Sequence, residues 1–332
     1  MSAVESRLPS PPSASPQFLP LAIAVFNDLA SRWDLTSCNG GLKWQIFPSN
    51  IGYDYKNTPS NGGLFHLAAR LARYTGNQTY VDWAEKSWDW MSAVSLFDVR
   101  YNVFDGTDDK INCSQVDHTT WTYNAGMLLS GASVLSNYTN SPLWQERATG
   151  LLTAAASNFF TPFPNASNIM YEPACEKITA CNNDQFSFKA YLARWMAAST
   201  QMMPDTTDAV MKLLRPSALA AVGACSGGSN NRTCGTKWYV GGWDGTSGVG
   251  QQLAALEVVQ GLLANSTGSP AVASGVSISF ATATSAVILP TGMSTPKAGS
   301  GKPTSSAGHL GPLWYKALGL PWLLVFTAVV TA

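Results

Sequence analysis

The sequence predicts an all-α domain built from successive helical hairpins. Three observations carry this reading. Apolar residues recur at helical spacing through most of residues 17–263, and period-two strand patterns are scarce. Four polar, aromatic, glycine-rich loops ("GYDYKNTPSNGG", "CSQVDHTTWTYNAG", "ACNNDQFSFKA" and "GGWDGTSGVG") each lead into a helix rich in small residues. These helices alternate with amphipathic ones. That suits a toroid of hairpins whose inner helices pack closely and whose loops meet on one face.

The elements follow in order. Residues 1–16 are Ser- and Pro-rich and read as disordered. The apolar run Phe18–Phe26 continues to Leu29 and Trp33 as a first amphipathic helix. Leu64, Leu67, Ala68 and Leu71 form the next stripe, and Tyr80, Ala84, Trp88 and Met91 the one after it. Leu128, Gly131, Ala132 and Leu135 follow, then Leu151, Leu152 and Ala155. Further helices are expected at about 184–202, 206–222 and 247–263, which makes about eight in all. "KWYVGGW" is the best short strand candidate. Residues 264–308, rich in Ser, Thr, Gly, Pro and Ala, read as a stalk that cannot bury a core. Residues 309–332 read as a GPI-anchor signal: small residues at Ser305–Gly308, attachment at Ser305 or Ser306, and an apolar tail from Leu318 to Ala332. That tail is shorter than the roughly 20 residues that span a bilayer.

The chain carries 20 basic and 20 acidic residues and 12 tryptophans. Zero net charge argues against a nucleic-acid partner. Abundant aromatic rings fit a sugar ligand, because they stack on the C–H faces of pyranoses; they equally fit a helix-packing core. Six cysteines suggest disulfides. Pairing the near neighbours Cys175–Cys181 and Cys225–Cys234 leaves Cys38 for Cys113. No metal site is expected, since none of the three histidines adjoins a cysteine and no C-x-x-C occurs. Asn77, Asn112, Asn137, Asn165, Asn231 and Asn265 are glycosylation acceptors, which with the cysteines points to the secretory pathway. Yet no export signal is visible at the N-terminus, while a GPI signal is read only on that pathway. The two ends conflict, and the expectation is a chain lacking its true N-terminus.

The blocks "GGLKWQIF", "YDYKNTPSNGGLFHLAARLARYTGNQTYVDWAEKSWDWM", "WTYNAG", "DQFSFKAYLARWMA" and "WDGTSGVGQQLAALEVVQ" resemble glycoside hydrolase family 76 over about residues 17–263. The likeness is greatest to its fungal, GPI-anchored branch of mannan endo-1,6-α-mannosidases. The resemblance implies an (α/α)6 toroid, incomplete here with about eight of twelve barrel helices. It implies a glycosidase or transglycosylase acting on α-1,6-mannose linkages, in wall mannan or the GPI glycan core. It further implies a monomer without cofactor, held at the cell surface and membrane through the GPI anchor. The family's catalytic pair of adjacent aspartates belongs to a region before "PLAIAVFNDLASRW". The alternative is therefore an inactive truncated homologue or gene fragment, at most mannan-binding.

Asp108 and Asp109, in the turn-like "FDGTDDKINC", do not match that pair. Adjacent aspartates in a polar loop are usually solvated or cap a turn. Acid/base work instead needs one carboxyl held protonated and one ionised across the scissile bond. Nearby Asp105 is the better substrate-side candidate, with a turn role equally open. Lys56, Asn57 and Asn61, at the entrance to an inner helix, can hydrogen-bond mannose hydroxyls or serve as cap and ion pair. Trp121, Tyr123 and Asn124 offer a stacking platform with a polar edge, or aromatic core. Asp184, Gln185 and Lys189 begin another inner helix, where Asp184 can simply cap. Trp243 and Asp244 precede the last helix, beside glycines that permit close ligand approach. His118 reads as a structural hydrogen-bonding group.

Overall fold

Helices form where the apolar stripes run and stop where the sequence supplies punctuation. The structure, a computed structural model, describes residues 1–6, 17–266 and 270–273, all within the unit Met1–Val276. Nine α-helices occur among the described residues: α1 (Ser2–Glu5), α2 (Phe18–Ser31), α3 (Thr58–Thr75), α4 (Gln78–Ala93), α5 (Thr122–Thr139), α6 (Pro142–Phe159), α7 (Phe188–Met202), α8 (Thr207–Ala224) and α9 (Val249–Gln260). At the start of α3 the Asn57 side chain accepts from the Ser60 amide at 3.2 Å, and Pro59 sits in the first turn, where no donor is needed. The helix ends at Gly76, whose φ of 72° is the left-handed conformation that glycine adopts without strain. Asn77 then caps α4 through the Thr79 amide at 2.9 Å.

Helices α3, α5, α7 and α9 pack side by side in that order. Helices α4 and α6 back α3 and α5, and α8 packs on α9 and α7. Small residues set the spacing. A Cβ on Gly126 of α5 would lie 2.9 Å from the Leu192 Cα of α7, so the two backbones touch. Behind this row, the fully buried Phe65 packs on Trp88 and Trp144 with ring centroids 5.5 and 5.7 Å apart. Burying such a side chain stabilises the fold by about 1.5–3 kcal/mol.

Three short antiparallel strands lie at one end of the row: β1 (Tyr55–Asn57), β2 (Gly106–Asp108) and β3 (Val116–Asp117), in that order. Lys56 faces Thr107, and Gly106 faces Asp117. The strands join the loop before α3 to the loop before α5. The three disulfides are Cys38–Cys113, Cys175–Cys181 and Cys225–Cys234.

Three expectations are corrected. "KWYVGGW" is not a strand: Trp238–Val240 is a 3-10 turn that drives the Trp238 ring into the core. Residues 1–6, read as disordered, form the turn α1, and Glu5 pairs with Arg70 at 2.5 Å. Residues 270–273 of the expected stalk lie against the folded unit, where the Ala271 amide donates to the Glu5 carbonyl and the Ala273 amide to the Tyr74 carbonyl. The remainder of the stalk from residue 274, the GPI signal over 309–332 and the attachment residues Ser305 and Ser306 lie outside the described residues.

Candidate functional site

The starts of α3, α5, α7 and α9 are neighbours, so the four loops converge at one end. The Thr58 amide opening α3 donates to the Asp105 carbonyl at 2.8 Å. Trp121 and Tyr123 at the start of α5 pack on Phe188 of α7, with centroids 5.4 and 4.2 Å apart. A Cβ on Gly250 of α9 would lie 3.0 Å from the backbone of Phe186 and Ser187.

Asp105 is the focus of this end. Its half-buried carboxylate accepts from the Tyr55 hydroxyl at 2.9 Å and from the Asn124 amide at 3.5 Å. Burial, and the charge of Asp117 nearby, push this carboxyl above its ordinary range against those hydrogen bonds and one from the Trp121 side chain. Burial and the neighbouring acids Asp105 and Glu172 push the Tyr123 phenol well above 10. The Asn124 side-chain oxygen is buried without a partner. A raised carboxyl among Tyr55, Trp121, Tyr123 and an unsatisfied amide oxygen can bind a neutral polyhydroxylated ring and exchange a proton with it.

Lys56, Asn57 and Asn61 do not join this cluster. The Lys56 ammonium is fully buried, pairs with Asp34 at 3.0 Å and donates to the Asp34, Ser37 and Gly40 carbonyls at 3.2, 2.9 and 2.6 Å. Burial raises the Asp34 carboxyl, but bonds from Thr36 and Lys56 outweigh it and hold Asp34 at about 2. Asn57 is the cap described above. Asn61 exchanges two bonds with the Leu42 backbone at 2.7 and 3.1 Å. These residues therefore brace the 34–44 loop, because burial leaves their polar atoms no other satisfactory partners.

The adjacent aspartates part company. Asp108 is exposed and accepts from the Lys110 amide at 2.8 Å. Asp109 is buried, accepts from Ser37 at 3.0 Å and pairs with Lys43.

In the first turn of α7, Lys189 is buried, pairs with Glu176 at 2.8 Å, donates to the Thr236 carbonyl at 2.5 Å and lies 3.8 Å over the Trp238 ring. Asp184 is exposed, and Gln185 accepts from the Asn182 amide at 2.9 Å. Asp244 accepts from the amides of Lys237 at 2.8 Å and Thr246 at 3.0 Å, so it organises a turn. Trp243 is 41% exposed but its indole N–H donates to the Thr246 carbonyl at 2.6 Å. His118 is exposed and packs edge-on against Phe104 at 4.4 Å.

Two acids that matter here escape the sequence reading. Glu172, 1% exposed, accepts from the Thr122 hydroxyl at 2.5 Å and amide at 3.2 Å, and so caps α5 from a distant loop. Glu176 accepts from the Glu172 amide at 3.0 Å as well as from Lys189. Burial, reinforced by Glu176, pushes the Glu172 carboxyl to about 8; burial also raises Glu176 despite Lys189. The signal available was two glutamates, "YEPACEK", in a loop fixed by its own disulfide. A groove of about 810 Å³ beside Ser136, Asn140, Gln145, Met203 and Lys212 lies at the opposite ends of the helices and holds none of these groups.

The profile of glycosyl hydrolase family 76 matches residues 1–274, and the chain belongs to that family. It is 52% identical over 262 residues to the mannan endo-1,6-alpha-mannosidase DCW1 of Candida glabrata, covering 78% of this chain and 57% of that protein. It is 45% identical over 270 residues to the mannan endo-1,6-alpha-mannosidase DFG5 of Candida albicans, covering 79% and 58%. The chain thus spans less than two thirds of these curated relatives. The crystal structure of Dfg5 from Chaetomium thermophilum, in complex with glucosamine, matches with a TM-score of 0.77 at 42% identity, over 81% of this chain and 67% of that one. An inactive α-1,6-mannanase variant from Salegentibacter sp., with two adjacent aspartates replaced and α-1,6-mannotriose bound, shares the fold with a TM-score of 0.60 at 16% identity, over 75% and 70%.

Proposed function

We propose that the protein acts on α-1,6-linked mannose as a mannan endo-1,6-α-mannosidase, and that these residues supply the part that binds and orients the sugar chain. The helical row and its backing helices are read as about eight of the twelve barrel helices of an (α/α)6 toroid. The observation that carries the reading is Asp105, a half-buried carboxyl with raised affinity for its proton, held among Tyr55, Trp121, Tyr123 and Asn124. The mannosidase relatives and the mannotriose-bound neighbour supply the substrate class. Wall mannan and the GPI glycan core are both substrates of this linkage, and three disulfides with exposed Asn77, Asn112, Asn137, Asn165 and Asn231 favour a cell-surface setting.

Asp108–Asp109, the chain's one adjacent aspartate pair, is not assigned the chemistry. One carboxylate is solvated and the other is held by Lys43 and Ser37, so the two do not face a common bond from opposite sides. The test expresses the 332-residue chain through a secretory host and measures binding and cleavage of α-1,6-mannotriose. Binding that weakens about tenfold or more in Asp105→Asn is expected, as for a lost charge-assisted hydrogen bond. Turnover that is present in wild type and vanishes in an Asp108→Asn/Asp109→Asn variant whose thermal midpoint is unchanged overturns the assignment.

A further inference from the structure

We propose that Trp44 is a sugar-binding platform beside the Asp105 cluster, taking one pyranose ring of the same α-mannan chain whose neighbouring sugars lie at Asp105. The inference rests on the proposed function and adds to it a second contact, one that selects for chain length.

The indole is fixed and yet half exposed. Its 50% exposure is unusual for a tryptophan held on two sides. The Trp44 amide donates to the Tyr55 carbonyl at 2.7 Å, and the Tyr55 ring meets the indole edge-on, 6.4 Å between centroids at 77°. Gly52, with φ of 88°, lies flush against the six-membered ring: a Cβ there would come within 2.5 Å of it. One side of the ring is thus covered by backbone, and the rest is left to solvent. A rigid aromatic plate of this kind stacks a sugar at little entropic cost.

Its surroundings suit a neutral, hydroxylated ligand. Beside it the Asn50 amide donates to the Gln45 side-chain oxygen at 3.2 Å, and both residues stay partly exposed. The nearby cations are neutralised, Lys43 by Asp109 and Lys110 by Asp54. Neither lysine is left unpaired to draw an anionic lipid or a nucleic acid. Continuity with the Asp105 cluster runs through a single residue: Tyr55 supports the indole with its ring and binds Asp105 with its hydroxyl at 2.9 Å. A chain leaving Asp105 along Tyr55 meets Trp44 next. The same loop also exposes Ile46 and Ile51, at 51% and 96%, so a neutral lipid surface is the rival occupant.

The test uses the full chain and calorimetric titration with α-1,6-mannobiose, α-1,6-mannotetraose and phosphatidylcholine vesicles. Wild type is expected to bind the tetraose more tightly than the biose. Trp44→Ala should weaken the tetraose about tenfold and the biose less than about twofold, with the thermal midpoint unchanged. Gly52→Ala, which pushes a Cβ into the ring, should mimic it, and Ile51→Ser should leave both sugars unaffected. Unaltered tetraose affinity in Trp44→Ala, or equal loss for both sugars, overturns the platform while leaving the proposed function standing. Loss of vesicle binding in both Trp44→Ala and Ile51→Ser, with sugar affinity intact, overturns it in favour of a lipid surface. A wild type that binds neither sugar removes the mannan reading itself, and the platform with it.

Discussion

Glu172 should make the fold less stable as pH rises, and Glu172→Gln should abolish that loss. In the folded chain this carboxyl is 1% exposed, and burial raises it from 4.5 to about 8. Between those values the folded state keeps a proton that the unfolded state has released. Folding then takes up a proton, and stability falls with increasing pH. A full unit corresponds to about 1.36 kcal/mol, and the slope halves as the pH reaches the folded value, so wild type loses about 3–4 kcal/mol between pH 5 and pH 8 through this group. The amide of the variant side chain still offers an oxygen to the Thr122 backbone N–H but does not titrate. Glu176 is present in both proteins, so the difference between them reads Glu172 together with its coupling to Glu176. With the disulfides intact, urea unfolding at pH 5, 6.5 and 8 should show the variant gaining on wild type by roughly 1.2 M in midpoint, for a slope near 3 kcal/mol per M. Parallel pH profiles for the two proteins refute the reasoning.

Replacing Cys38 and Cys113 by serine releases a loop closed over 75 residues, and should cost about 4.5 kcal/mol by chain entropy, read as a fall in urea midpoint. Gly126→Ala forces a methyl against the Leu192 backbone and should destabilise the α5–α7 contact by about 1–3 kcal/mol; an unchanged thermal midpoint contradicts the close approach described. Asp109→Ala leaves Lys43 without its nearest counter-charge and should cost about 2–4 kcal/mol, whereas Asp108→Ala should stay within about 0.5 kcal/mol, both read by urea unfolding.

The helices were legible because their signal is local. Leu64, Leu67, Ala68 and Leu71 repeat at helical spacing, and all are buried on α3. The alternation of small-residue and amphipathic helices marked α3, α5, α7 and α9 as the row whose starts meet. The disulfide partners were legible where neighbours in sequence could pair. The roles of polar residues were not, because a lysine in a loop reads alike whether it meets sugar or protein. Lys56 went to three carbonyls and Asp34, partners 16 to 22 residues away, and Lys189 to Glu176 and Thr236. Glu172 caps Thr122 from 50 residues off, so no cap pattern at the helix itself announces it. "KWYVGGW" alternated like a strand, yet Trp238 is drawn under Lys189 instead, and tertiary packing outweighs so short a pattern.

The hydrogen bond from Ala271 to Glu5 sets a timetable for folding. On a ribosome adding about 5–20 residues per second, α1 waits roughly 13–53 s for its partner to be made. Throughout that interval Met1, Ala3 and Val4, which the finished fold buries, have no such strap to hold them. The hairpins between can mature in order of synthesis, since α3 meets α4 and α5 meets α6 over short connections. The strap is therefore among the last contacts formed and, by the same token, among the first that a nascent-chain protease can exploit.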